Sequence, residues 1–195
     1  MSQNTSIVTK ERFNQGISSF NEWLEKIDKR QEQFQMHYDE YTPEKNDLEE
    51  LQGIVSEFNV KALLLGEAWC PDVWRGLPVL ARLAEDTGME VKYFLRDENQ
   101  DIMSEFLKDG EFESIPTIVF YDKELNYLFH WIERPQQANE EMASMRDKFL
   151  SNVPDEGEEK DQAMRAYRKE IATKSEEWRH LTLKEIVEHL KNALS

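Results

Sequence analysis

The sequence contains a single cysteine, Cys70, among its 195 residues. One cysteine cannot close an intramolecular disulfide, so the fold does not depend on one, as is usual in a reducing compartment. No run of apolar residues approaches the roughly 18 residues that a membrane-spanning helix needs. Residues 1–16 also lack the apolar segment of a signal peptide. The sequence therefore predicts a soluble cytoplasmic protein that does not bind membranes.

Positive charge is also scarce. The chain has 24 lysines and arginines against 40 aspartates and glutamates, and its net charge is −16. Nucleic acids and anionic membranes attract Lys and Arg, so neither is an expected partner. The four histidines have no metal-ligand spacing with one another or with Cys70, and the seven glycines form no phosphate-binding loop. We therefore expect neither a metal nor a cofactor.

Apolar residues recur at helical spacing through residues 1–58. The stripe consists of Phe13, Ile17, Phe20, Leu24, Ile27, Phe34, Tyr38 and Tyr41. It predicts one helix, or two helices broken near residues 29–33, packed on the protein's own core, because aromatic side chains suit core packing. The alternative interpretation is a coiled-coil seam that forms a homodimer.

Residues 59–135 alternate between strand and helix patterns. Short apolar runs predict strands over 60–66, 91–96, 117–121 and 125–132, and periodic segments predict helices over 73–85 and 100–108. A helical crossover makes the first two strands parallel, whereas the tight turn at 122–124 makes the last two antiparallel. The pattern therefore predicts an α/β fold with a mixed sheet.

Residues 136–195 return to helical spacing. An acidic loop at 154–161 separates two predicted helices. Thr182 and Glu185 have the spacing of a capping box, which predicts that a final helix begins there. The segments 1–58, 59–135 and 136–195 are thus an N-terminal helical extension, a central α/β region and C-terminal helices, predicted to pack as one unit.

Cys70 lies between a predicted buried strand and a predicted helix. Pro71 suits the first position of a helix, which places Cys70 at the helix N-terminus. The N–H groups at that end stabilise a thiolate, the nucleophile of thiol–disulfide exchange. The negative charges of Asp72 and Glu67 disfavour the thiolate and so raise the pKa of Cys70, whereas the positive charge of Arg75 could offset that of Asp72. The sequence therefore leaves open whether the pKa of Cys70 is raised or lowered.

The residues around Cys70 resemble the active site of thioredoxins. Residues 69–73 (WCPDV) resemble the WCxxC motif, and Pro78 matches the proline that kinks the active-site helix. Residues 114–117 (SIPT) match the segment that carries a cis-proline, and residues 96–99 (RDEN) also resemble the family. The resemblance implies a thioredoxin-like mixed sheet with flanking helices.

The Glu-Arg-Pro step at 133–135 is similar to a bacterial thioredoxin-like subfamily with longer, helical termini. The resemblance implies that the Ile115–Pro116 bond is cis and that the surface beside it binds extended peptide backbone. The binding residues that it implies are Trp69, Pro71, Asp72, Val73, Trp74, Ile115, Pro116 and Thr117. Trp74 also has a simpler interpretation as a core or interface residue.

Two departures from the family motif bear on function. Val73 occupies the position of the second cysteine, and Leu64 occupies the position of the buried acid that assists proton transfer. Valine cannot attack a mixed disulfide and leucine cannot carry a proton. The resemblance therefore implies that ordinary dithiol reduction does not occur.

Two functions remain open at this point. In the first, Cys70 is the nucleophile of a monothiol oxidoreductase: it forms a mixed disulfide with a protein or a low-molecular-weight thiol, and an external thiol resolves it. In the second, the chain is a redox-inactive, thioredoxin-like binding protein.

Overall fold

The computed structural model describes residues 6–195, which form helices around a four-stranded sheet. The helices are α1 (Lys10–Phe13), α2 (Phe20–Lys26), α3 (Gln31–Glu40), α4 (Lys45–Phe58), α5 (Pro71–Thr87), α6 (Gln100–Met103), α7 (Gln136–Leu150) and α8 (Glu158–Leu194). The strands are β1 (Lys61–Gly66), β2 (Glu90–Leu95), β3 (Thr117–Tyr121) and β4 (Tyr127–Ile132).

The sheet is mixed, as predicted, and its strand order is β2-β1-β3-β4. Strands β1 and β2 are parallel, with Leu64 opposite Tyr93. Strand β3 is antiparallel to both β1 and β4. Every residue of β3 is buried, as are all residues of β1 after Lys61. Strands that are apolar on both faces must be buried by other elements. Helix α5 packs against β1 and β2, and α8 packs against β4.

Two of the predicted elements are shorter in the structure. Strand β4 begins at Tyr127, because Leu125 has a φ of 66° and belongs to the turn. Helix α6 ends at Met103, whereas the prediction extended to residue 108. The N–H of Lys108 instead donates to the carbonyl oxygen of Phe112, at 2.8 Å, and so closes a tight turn.

The N-terminal stripe packs on the protein's own core, as favoured from the sequence. The five stripe residues Phe13, Phe20, Ile27, Phe34 and Tyr41 are all buried there. Burying each such side chain contributes roughly 1.5–3 kcal/mol relative to leaving it exposed. Their burial supports the interpretation that the stripe packs on the protein's own core, and the homodimer stays a prediction.

The N-terminal extension is more broken than predicted. The chain leaves the helix after Phe13, and Ile17 pairs with Tyr93 through two backbone hydrogen bonds of 2.9 Å. A Cβ at Gly16 would lie 2.5 Å from the ring of Phe94, so this close approach to β2 requires glycine. Helix α2 then begins at Phe20, after the N-cap residue Ser19, whose side chain accepts from the N–H of Glu22.

Helix α8 runs without interruption from Glu158 to Leu194, so the predicted helix start at Thr182 is wrong. The hydroxyl of Thr182 donates to the carbonyl oxygen of Trp178, at 2.9 Å, one turn earlier in the same helix. The carboxylate of Glu185 accepts from the indole N–H of Trp131, at 2.9 Å, and from the backbone N–H of Gln136, at 2.8 Å. Glu185 thus joins α8 to β4 and to the start of α7.

Helix α8 contributes to two apolar clusters. Its C-terminal half, including Leu183, Ile186 and Leu190, belongs to the main core, which draws residues from all three segments of the chain. Its N-terminal half packs with α7 around a smaller cluster that includes Met145 and Ile171. The division of the chain at residues 58 and 135 stays a prediction. Within residues 6–195, no helix has both the length and the apolar character to cross a bilayer.

Candidate functional site

Cys70 is the N-cap residue of α5, and Pro71 occupies the first helical position, as predicted. The carbonyl oxygen of Cys70 accepts from the N–H groups of Val73, at 3.1 Å, and Trp74, at 3.3 Å. Pro78 lies inside α5, as the thioredoxin motif implies. A thiol at this position faces the positive end of a 17-residue helix.

The thiol of Cys70 is nevertheless buried. Only 8% of the residue is exposed. Its Sγ atom lies 3.5 Å from the carbonyl oxygen of Ile115 and donates a hydrogen bond to it. The carbonyl is an acceptor only, so the contact requires the protonated thiol.

The pKa of Cys70 is raised, which answers the question that the sequence leaves open. Burial is the main cause of the rise, and the negative charge of Asp72 adds to it. The N–H groups of Val73 and Asp72 and the charge of Arg134 lower this pKa, but the rise prevails. The carboxylate of Glu67 accepts instead from the N–H of Asp97, at 2.9 Å.

The Ile115–Pro116 bond is cis, as the resemblance implies, and it lies against the start of α5. A Cβ at Gly76 would lie 3.4 Å from Cγ of Pro116, so the helix backbone packs on the proline ring. The hydroxyl of Thr117 donates to the carbonyl oxygen of Ser114, at 2.7 Å. The tertiary fold thus brings together two motifs that lie 45 residues apart in the chain.

The two positions that depart from the thioredoxin motif are filled with apolar side chains. Val73 is fully buried, and its Cγ1 would lie 2.7 Å from a Cβ at Gly66. Leu64 is also fully buried, in the middle of β1. The structure therefore has neither a resolving thiol nor a carboxyl group at these two positions.

The other predicted binding residues divide by exposure. Four of them are buried in the core: Val73, Ile115, Pro116 and Thr117. Pro71 is exposed, and Asp72 and Trp74 are partly buried. Trp69 is 49% exposed, and the guanidinium of Arg96 lies 5.5 Å from its ring centroid. Trp69 is thus the large apolar side chain that the site presents to solvent. The assignment of these residues to partner binding stays a prediction.

Asp72 belongs to a chain of ion pairs of which sequence reasoning named only Arg75. Its carboxylate accepts from Arg134 and lies 3.8 Å from Arg75. Arg134 also contacts Glu133, at 3.3 Å, which in turn pairs with Lys108, at 2.7 Å. The Glu-Arg-Pro step at 133–135 was the available signal, but only the fold shows that it lies beside the first turn of α5.

Residues 6–195 contain no cluster of three or more His, Cys, Asp or Glu side chains that could hold an ion.

Comparison with known proteins decides the family. The family model described as thioredoxin matches residues 17–146, which is most of the chain. The chain belongs to the thioredoxin family. No curated protein matches it. The more specific assignment to a bacterial subfamily stays a prediction.

Two solved structures extend the likeness beyond the thioredoxin core. A protein of unknown function from Pseudomonas aeruginosa is 21% identical, with a TM-score of 0.67, over 96% of this chain and 99% of its own. An HIV epitope-scaffold is 20% identical, with a TM-score of 0.65, over 93% of this chain and 96% of its own. At these identities the likeness shows the fold alone, and it includes the helical extensions.

Proposed function

We propose that this thioredoxin-family protein acts by binding a partner and does not act as a dithiol reductase. The single observation that carries the proposal is the buried, protonated Cys70, whose thiol donates to the carbonyl oxygen of Ile115. A thiol in this state is a poor nucleophile, since the thiolate is the reactive form. Val73 also leaves no second thiol to release a bound disulfide.

The surface proposed to bind the partner lies around Trp69, Pro71 and the cis Ile115–Pro116 bond. Trp69 and Pro71 are exposed and adjacent to the N-terminus of α5. An exposed tryptophan supplies a large apolar contact area, and aromatic residues dominate the energetics of many interfaces. An extended protein segment is the partner that this part of the thioredoxin fold suits best.

The experiment compares partner capture by the wild-type protein and by three variants under reducing conditions. Cys70→Ser should capture the same partners, whereas Trp69→Ala should lose most of them. Tyr127→Ala removes another exposed aromatic side chain, at the end of β4 that pairs with Tyr121 and lies away from Pro116, and should behave as wild type. Loss of every partner in Cys70→Ser would refute the proposal.

Monothiol exchange through Cys70 is the second candidate function. The observation that favours it is the position of Cys70 as N-cap of α5, where the N–H groups of Asp72 and Val73 lower its pKa. It requires that contact with a disulfide displaces the Cys70–Ile115 hydrogen bond. If it operates, wild type forms a mixed disulfide with oxidised glutathione and Cys70→Ser does not.

A further inference from the structure

A groove lies beside the candidate site, where the C-terminal helices approach α3 and the first turns of α5. Its volume is about 680 Å³, within the roughly 300–1,000 Å³ that pockets for small organic ligands have. Pro71 and Asp72 contribute to its wall, but Trp69, Cys70 and Pro116 do not. The groove therefore adjoins the Cys70 surface at Pro71, but most of its wall comes from the helical extensions of the fold.

Much of the groove wall is apolar and adaptable. Met36, Met142 and Met164 line it, from α3, α7 and α8, together with Tyr167 and Ile171. Methionine side chains are flexible and polarizable, so they fit ligands of different shapes. Met36 is also one of the large apolar residues that the structure leaves exposed.

The charged side chains of the groove are mostly positive, although the protein as a whole is strongly acidic. Arg30, Arg75 and Arg168 line it, whereas its one acid, Asp72, is shared between Arg134 and Arg75. The guanidinium groups of Arg30 and Arg75 lie 6.0 Å and 4.8 Å from the ring of Trp74. Three arginines against one paired acid favour an anionic ligand.

The groove also has buried N–H donors without acceptors. Nδ1 of His37 lies 3.0 Å from a nitrogen of Arg179, and arginine can only donate, so Nδ1 is the acceptor. Burial, Arg179 and Arg75 lower the pKa of His37 to about 4, so at pH 7 its ring is neutral and carries its proton on Nε2.

Neither Nε2 of His37 nor Nε1 of Trp74 has a hydrogen-bond partner among residues 6–195. Both residues line the groove, and their rings stack with centroids 5.8 Å apart. Buried donors are normally paired, so two unpaired N–H groups on residues that line the groove favour a ligand that supplies acceptor oxygens.

We propose that the groove binds a small organic anion: a carboxylate carried on an apolar aliphatic or aromatic body. The arginines and the N–H groups of His37 and Trp74 bind the carboxylate, and the methionine wall binds the body. This site does not depend on the reactivity of Cys70.

The test is isothermal titration of the full-length protein with decanoate and with 1-naphthylacetate, each compared with its neutral amide. At least one carboxylate should bind about tenfold tighter than its amide, because charged hydrogen bonds are the stronger ones. Failure of both carboxylates to bind at millimolar concentration, or equal binding of the amides, would overturn the proposal.

Two sets of variants localise the binding. The double variant Arg30→Gln/Arg168→Gln should weaken carboxylate binding about fivefold, since two exposed charges are lost. The control Arg146→Gln/Arg165→Gln removes the same charge from exposed positions outside the groove and should bind as wild type. If the control weakens binding equally, the attraction is not specific to the groove and the proposal fails.

Trp74→Phe keeps an aromatic ring but removes the indole N–H. It should weaken carboxylate binding several-fold and leave amide binding nearly unchanged, with folding verified by thermal melting. An unchanged carboxylate affinity would remove Trp74 from the site and contradict the donor argument. Cys70→Ser should bind the carboxylate as wild type does, which separates this site from the function proposed for the Cys70 surface.

Discussion

The thiol of Cys70 donates a hydrogen bond to the carbonyl oxygen of Ile115, across 3.5 Å. This contact joins the N-cap of α5 to the residue before the cis-proline. Ionisation would break the bond and place a negative charge against the carbonyl oxygen in a buried position. The contact therefore favours the neutral thiol, in the same direction as burial.

Replacing Asp72 with Asn should lower the pKa of Cys70. Asp72 raises this pKa by charge repulsion, and the change would also remove one of the two carboxylates that pair with Arg134, whose positive charge lowers this pKa. The pH dependence of Cys70 alkylation measures the shift. Glu67→Gln is the control and should have little effect, because that carboxylate binds the N–H of Asp97. A midpoint that rises in Asp72→Asn would contradict the electrostatic account of the site.

Restoring the second cysteine with Val73→Cys should produce weak insulin reductase activity where wild type has none. The helix N-terminus and the cis-proline are in place, but Leu64 still replaces the proton-transfer acid. The smaller side chain should also cost about 1 kcal/mol of stability, because Val73 is fully buried. If the folded variant shows no insulin reductase activity, as wild type does, the site geometry differs from that of active thioredoxins.

His37 should make the protein less stable as pH falls from about 6.5 to about 4. Its folded-state pKa is about 4, because of burial and the charges of Arg179 and Arg75. The unfolded chain takes up a proton near pH 6.5, so acidification favours unfolding by on the order of 2 kcal/mol over this range. Urea unfolding at pH 7 and pH 4.5 measures the loss.

The matched variants for this test are His37→Gln and His189→Gln. His37→Gln should show a smaller loss of stability on acidification than wild type. His189 is exposed on α8, so His189→Gln should lose as much as wild type does. An identical loss in His37→Gln would show that other groups cause the acid sensitivity.

Glu185→Ala should destabilise the fold by about 1–2 kcal/mol, because it removes two hydrogen bonds to a carboxylate. These are the bonds from the indole of Trp131 and the backbone of Gln136, which join α8 to β4 and α7. Glu188→Ala, at an exposed position of the same helix, should change stability by less than about 0.5 kcal/mol. Equal effects of the two changes would refute the linking role of Glu185.

The central sheet and the position of Cys70 were predictable because they depend on local patterns. The apolar runs of β1 and β3 identify buried strands, and Pro71 identifies a helix start. The family motif then predicted that Pro116 lies beside Cys70. The break between α2 and α3 lies close to the one predicted near residues 29–33, whereas the break between α1 and α2 was not predictable, because the pairing of Ile17 with Tyr93 depends on the tertiary fold.

The electrostatics of the site were the least predictable part. Sequence identifies Asp72 and Arg75 as neighbours of Cys70, but Arg134 lies 62 residues from Asp72 along the chain. At Thr182 the local pattern was misleading. Thr182 and Glu185 have the spacing of a helix start, yet the hydroxyl of Thr182 donates to the carbonyl oxygen of Trp178 within a continuous helix. Both outcomes depend on packing partners that no local pattern specifies.

The most direct measurement of the central claim is the rate of Cys70 alkylation as a function of pH. Cys70 is the only cysteine, so the signal has one source. We predict slow alkylation with a midpoint above the roughly 8.5 of a free thiol, because burial and Asp72 raise the pKa. A midpoint well below 8 would contradict this account, since it would mean that a thiolate is present at neutral pH and that monothiol exchange is the better function.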